Sequence, residues 1–374
     1  MTPRSPRFPL FDSLRAVAAL TVVLFHVAFV AGGFTNPHFA RYLVQLNIGV
    51  PIFFLISGFL LYRPFVAARF ARDRMPAAGP YAIRRLFRIV PAYWVALLLI
   101  AVWINLPAVL DNPLPYFGFA QVYDRSTLIN GYGVAWTLDV EVTFYALLPV
   151  WAFAMRRLPG RTERQIALTE VAPLVAIFAF AVAWNQANTQ TAFGFVPIKP
   201  EIATLPAFLD QFALGMGLAV ASVALAGRER RPLAVRVVES APWLPWVAAA
   251  ALWVAMCNIG GFREAGSETA RHVLRGLVAF GILLPAVFGG DRGGAVRRVL
   301  ADRRLRWIGL ISYSLYLWHS AVIQKLASTR DDLGWVGFAI LGLAASIAVA
   351  AVSFYAVERP ALRLGQRLAR DRSR

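Results

Sequence analysis

Arg15 and His26 lie eleven residues apart inside the apolar stretch Asp12 to Ala31. At about 100° per residue that spacing returns a helix to within roughly 20° of its starting direction. The two side chains therefore share one face, about 16 Å apart along the axis. The stretch is long enough to cross a bilayer, and an ionisable group inside a span is costly enough to mark a functional site. Two further titratable groups belong to other apolar runs, Glu141 in WTLDVEVTFY and His319 in SYSLYLWH. Counted from the same side, His26 and Glu141 lie roughly 8 Å below the ends of their runs, and His319 lies slightly deeper. Such groups suit transfer to a hydroxyl, because an alcohol is a weak nucleophile and needs a base such as neutral imidazole. A carboxylate on the far ring nitrogen would fix the tautomer and stabilise the imidazolium. The expectation is thus His26 as base and Glu141 as its orienting partner, with His319 a second base or a packing partner.

The opposite ends of the runs carry different chemistry. YAIRRLFRIVPAY places Arg84, Arg85 and Arg88 ahead of Pro91. Guanidinium forks suit phosphate oxygens, and Arg15 lies toward the same end of its own helix. These arginines fit either a phosphate-bearing donor or a topological anchor. In IGVPIFFLISGFLLY, Ser57 and Gly58 sit at mid-span, where small residues let a helix or a slender ligand come close. Ser57 is outside any G-x-S-x-G elbow, which argues against a serine hydrolase. His38 and His272 fall near loops and read as solvated. No Walker, Rossmann or zinc-ligand spacing is present, so no metal is expected. Cys257 is the single cysteine, which excludes internal disulfides, and its apolar setting makes it a core residue.

The elements that must position these groups are membrane helices. The 374 residues are 59% hydrophobic and 16% charged, with a mean hydropathy of +0.58. Apolar runs separated by polar breaks indicate an all-α polytopic bundle of about ten spans. They fall near 11–31, 47–66, 89–110, 134–155, 168–185, 204–226, 241–258, 272–290, 306–326 and 334–357. The net charge of +18 suggests nucleic acid until its placement is considered. Of the 38 Lys and Arg, 29 lie in alternate connections and the termini, whereas seven lie in the intervening ones. Positive connections face the cytoplasm, so both termini should be cytoplasmic and no nucleic-acid partner is implied. Residues 1–358 read as one transmembrane domain and 359–374 as a basic cytoplasmic tail able to rest on anionic lipid. Arg4 and Arg7 ahead of an apolar run imitate a signal peptide, but Asp12, Arg15 and His26 make it a poor cleavable one. The connection 111–133 carries Tyr116, Phe117, Phe119, Tyr123 and Tyr132, which serve either as an interfacial aromatic belt or as a sugar-stacking floor. On residue types alone a secondary transporter, with Arg15, His26 and Glu141 as an ion or proton pathway, is the rival to an enzyme.

Six motifs in order resemble the membrane acyltransferase 3 family over nearly the whole chain. They are FDSLRAVAALTVVLFH (Asp12, Arg15, His26), FFLISGF (Ser57), RRLFRIVP (Arg85, Arg88), WTLDVEVTFY (Trp136, Glu141, Tyr145), SYSLYLWH (Ser312, Tyr316, His319) and ERP (Glu358 to Pro360). The resemblance implies a multi-pass O-acyltransferase of the bacterial cytoplasmic membrane. It implies acyl-CoA, commonly acetyl-CoA, as cytoplasmic donor and a hydroxyl of an extracytoplasmic glycan, a lipid-linked sugar or a small metabolite as acceptor. It makes His26 the catalytic histidine, Arg15 its partner, and Arg85 and Arg88 the residues suited to the coenzyme. Ser57 is a further candidate on the donor path, and Trp136, Tyr145, His319 and Asp12 are further site candidates. The opening motif departs from the family at Ser13 and Ala16, where glycines are common, and no appended SGNH-type domain is present in this sequence.

Overall fold

In hydrocarbon no water is at hand to satisfy backbone N–H and C=O groups, so an apolar chain must satisfy them within its own helices. The computed structural model describes residues 8–36, 38–188, 199–260, 265–289 and 294–372, and among these there are helices and turns but no strand. The helices of eight or more residues are α1 (Leu10–Val30), α2 (Gly49–Phe70), α3 (Ala78–Trp103), α4 (Trp136–Arg157), α5 (Glu163–Asn188), α6 (Leu209–Ala224), α7 (Leu233–Ser240), α8 (Leu244–Cys257), α9 (Ala265–Phe288), α10 (Arg303–Leu310), α11 (Ser312–Lys325), α12 (Arg330–Ser353) and α13 (Arg359–Asp371).

Among the described residues eight helical segments are long and apolar enough to cross a membrane, nine when α7 and α8, bent by 100° at their break, count as one span. The remaining stretch expected as a span, 306–326, consists of the two shorter helices α10 and α11, separated at Ile311. Helix α3 begins at Ala78 rather than near 89. Arg84, Arg85 and Arg88 are therefore on a helical face instead of in a connector. Helix α12 runs through a π-helical turn at Phe354–Glu358 into α13, so the basic tail is helical through Asp371.

The arginine-rich connections gather at one end of the bundle. Arg69 is buried against Glu170 at 2.5 Å and also reaches Leu158 O, Arg72 bonds Arg161 O, and Arg156 bonds Asp73 O. Ser13 Oγ donates to Leu300 O at 2.6 Å, and Gly365 of α13 lies against Phe87 of α3. The arginine-poor connections meet at the other end, where Arg41 bonds Asn258, Arg271 reaches Ile259 O and Arg330 reaches Val30 O. An alternating charge pattern in sequence has thus become a charge asymmetry along the bundle axis.

Helix α2 is the central post, packed on α6 with α1, α4 and α9 around it. Its approach to α6 is set by two glycines. A Cβ on Gly58 would lie 2.5 Å from Phe212 O, and one on Gly215 would lie 2.2 Å from Leu55 O. Bare backbone at both points lets the helices touch, the usual small-residue solution in membranes, and it fixes the height and rotation of Ser57. Gly215→Val is expected to destabilise the protein by about 3 kcal/mol, at the upper end of overpacking costs. The check is thermal unfolding in detergent, with Gly217→Val, which meets open space, as the control that should change little.

Candidate active site

The imidazole of His26, on α1, is half-buried. Its Nδ1 lies 2.9 Å from Val22 O, one turn back on the same helix, and 3.2 Å from Nε2 of His319. The two rings are nearly perpendicular, 4.7 Å between centroids. His319, on α11, is completely buried, and its Nδ1 lies 2.8 Å from Tyr316 O and 3.2 Å from Leu315 O. These partners assign the protons. Carbonyl oxygens only accept, so the Nδ1 of His319 donates to them and its Nε2 is left with a lone pair. That lone pair and Val22 O both face Nδ1 of His26, which therefore carries a proton and donates. The Nε2 of His26 is then the unprotonated nitrogen, the one equipped to take a proton.

This corrects the expected pairing of His26 with Glu141. Among the described residues Glu141 bonds only Ser57 and Tyr145. Ser57 Oγ donates to Oε1 at 2.9 Å, Tyr145 Oη donates to Oε2 at 2.9 Å, and the two hydroxyls lie 3.2 Å apart. Matched depth placed three groups at one level, but depth does not fix the direction in which each helix face points. His26 looks toward α11, and Glu141 looks toward α2. The ring nitrogen expected to face a carboxylate faces a second imidazole instead.

Ser57, Glu141 and Tyr145 belong to the wall of a cavity of about 200 Å³. Arg15, Arg85 and Arg88 line it, as do Phe53, Thr137, Tyr313 and Tyr316. At 200 Å³ it falls below the roughly 300 Å³ at which pockets begin to engulf whole drug-sized ligands. It fits a slender chain and leaves any bulky head at the rim. Arg15 pairs with Asp12 at 3.1 Å, and both side chains are about one-quarter exposed. Arg88 sits 3.8 Å from the wholly buried carboxylate of Glu358, a long ion pair, while Ser314 donates to the other Glu358 oxygen at 2.7 Å. Among the described residues Arg85 has no hydrogen-bond or ion-pair partner, so its fork is available to a ligand.

The histidine pair lies next to this cavity without forming part of its wall. Tyr316 is common to both, since it lines the cavity and its ring stands 5.6 Å from that of His319. Thr137 donates to the Tyr316 hydroxyl at 2.7 Å and holds it in place. Trp136 is outside the cavity and packs on Phe208, 5.2 Å between ring centroids. Among the described residues no group of His, Cys, Asp and Glu is arranged to hold a metal ion.

His38 is exposed, but His272 is not the solvated residue its position near a loop suggested. It is buried, with Nε2 3.0 Å from the Asp210 carboxylate. Beside it Arg275 bonds Glu268 at 2.7 Å and Gln45 at 3.2 Å. The signal was present in the spacing, because Glu268, Arg271, His272 and Arg275 fall at i, i+3, i+4 and i+7 and make one polar stripe on α9.

The sequence model of a family described as "Acyltransferase domain" matches residues 9–355. The chain is 27% identical to Nodulation protein 10 of Rhizobium leguminosarum bv. viciae, over 95% of this chain and 93% of that protein. It is 26% identical to Acyltransferase MdmB of Streptomyces mycarofaciens, over 97% of this chain and 94% of that protein. It is 25% identical to Peptidoglycan O-acetyltransferase OatA of Listeria monocytogenes, over 94% of this chain but 55% of that protein. No solved structure matches.

His319→Ala removes the ring that holds the proton on Nδ1 of His26. The variant is expected to lose about 100-fold in kcat with little change in KM for either substrate, the signature of an interaction needed in the transition state. Steady-state kinetics of the purified variant provide the check. A KM effect without a kcat effect would assign His319 to binding instead.

Proposed function

Because this chain belongs to the Acyltransferase domain family, matched from residue 9 to 355, we propose that it carries an acyl group from cytoplasmic acyl-CoA to a hydroxyl on the outer side of a bacterial cytoplasmic membrane. Its class is an acyltransferase with multiple membrane helices. The donor, the acceptor and the sidedness are the proposed parts. The observation that carries them is the cavity itself, lined by an unpartnered Arg85, a loosely paired Arg88 and Tyr316 beside the histidine pair.

The coenzyme's phosphates bind Arg85 and Arg88, and Arg88 exchanges its long contact with Glu358 for phosphate oxygens. The pantetheine arm threads past Arg15 into the cavity, which matches its slenderness. The distance of about 16 Å from Arg15 to His26 is of the order of the extended arm, so the thioester approaches the level of the histidines. His26 Nε2 then takes the proton of the acceptor hydroxyl, and His319 steadies the imidazolium that forms. The name of the Listeria relative supports a glycan acceptor, and a lipid-linked sugar presents the same chemistry. The positive-inside pattern supports cytoplasmic termini and a cytoplasmic arginine-lined mouth, the side where acyl-CoA is made.

Two variants test this on purified protein, using labelled acetyl-CoA and hydroxyl acceptors. His26→Ala is expected to lower acyl transfer by at least about 100-fold while the protein remains folded. Wild-type rates in this variant would remove His26 as the base. Arg85→Ala with Arg88→Ala is expected to raise KM for acetyl-CoA by about tenfold or more and to leave acceptor KM unchanged, since a charge-assisted bond contributes about 1.5–3 kcal/mol. An unchanged donor KM would make these arginines topological anchors only.

A further inference from the structure

Ser57, Glu141 and Tyr145 form a constellation that transfer by direct attack of the acceptor does not use. Ser57 Oγ donates to a carboxylate at 2.9 Å, and the opposite oxygen of that carboxylate is held by Tyr145 at 2.9 Å. A nucleophile within reach of a base, with the base oriented by a third group, is the arrangement that activates a side chain for covalent catalysis. All three line the cavity together with Arg15, Arg85 and Arg88, whereas His26 does not. The other hydroxyls in that wall offer less. Thr137 donates to Tyr316, Tyr316 to the carbonyl of Val134 and Tyr313 to the carbonyl of Ile89, and among the described residues Ser312 has no hydrogen bond to a carboxylate. Tyr145 also donates to Glu141, but from four residues along the same helix, as a local partner of the carboxylate. Ser57 reaches it from a different helix, and the Gly58 and Gly215 contacts fix its backbone.

We propose that Ser57 is a nucleophile that accepts the acyl group from the donor as a covalent ester. Ser57 Oγ attacks the thioester carbonyl carbon as Glu141 takes the hydroxyl proton. The C–O bond forms, the C–S bond breaks, and Glu141 passes the proton to the departing sulfur, so the coenzyme leaves as the free thiol. Arg15, Arg85 and Arg88 in the same wall supply positive charge for the oxyanion. In the second half the acceptor oxygen attacks the Ser57 ester, the C–O bond to Ser57 breaks, and the acceptor's proton ends on Ser57 Oγ. No oxidant or further reactant is needed. This inference rests on the acyl-CoA reading of the cavity, and it separates the release of coenzyme from the arrival of the acceptor.

The experiment uses the full-length protein in detergent with labelled acetyl-CoA and no acceptor. A burst of free coenzyme approaching one equivalent is expected, with the acetyl group on the peptide containing Ser57 by mass spectrometry. Ser57→Ala should lose the label and at least about 100-fold of the turnover, with its melting temperature and coenzyme binding retained. Ser57→Cys should carry a label that neutral hydroxylamine removes, as expected of a thioester. Glu141→Gln should slow labelling without abolishing coenzyme binding. Wild-type turnover with acceptor present tests the donor reading separately. Turnover without a burst or a label, a label on Tyr145 or His26, or full turnover in Ser57→Ala would each overturn the role of Ser57 while leaving the donor assignment intact. Absence of any coenzyme release by the wild type would overturn both.

Discussion

The short contact between two imidazoles is the interaction on which the site depends. An isolated histidine in an apolar span could hold its proton on either nitrogen. Here Val22 O and the lone pair of His319 converge on Nδ1 of His26, so the opposite nitrogen is bare. The carbonyls of Tyr316 and Leu315 in turn dictate the state of His319. A backbone feature of one helix, its unspent carbonyl lone pairs, thus decides the chemistry on another. No ionised partner is required, which suits a low-dielectric interior where an unpaired charge is expensive.

Three buried or part-buried glutamates are held by neighbouring donors. Glu141 is satisfied by two hydroxyls, Glu358 by Ser314 and the longer contact to Arg88, and Glu170 by Arg69, Tyr62 and its neighbours. In hydrocarbon each of these would cost several kcal/mol if left alone. Arg85 is the departure from the pattern, exposed to a cavity and unpartnered among the described residues. Its fork faces the cavity together with Arg15 and Arg88. Tyr316 belongs both to the cavity wall and to the surroundings of the histidine pair.

Much of this was legible in the sequence, and what was not has a physical reason. The shared face of Arg15 and His26 follows from the helical period. The clustering of Arg85 and Arg88 at one mouth follows from spacing and charge placement. Those are properties of single helices. The partner of His26 is a property of helix order and rotation in the bundle, which periodicity within one span does not carry. Glu141 therefore stood at the right depth and faced the wrong neighbour. His272 was misread for a related reason, since nearness to a loop in sequence says nothing about which face of α9 turns toward Asp210. Helix α3 began early because its arginines are good helix formers whose long side chains reach the interface from a helical backbone.

Sidedness ties these elements together and can be measured directly. The protein is reconstituted with known orientation in sealed vesicles, and acyl-CoA is supplied on one side with the acceptor on the other. Acyl transfer and release of free coenzyme are expected only when acyl-CoA is on the side of the arginine-lined mouth. Equal turnover with acyl-CoA confined to the opposite side would contradict a donor path past Arg85, Arg88 and Arg15.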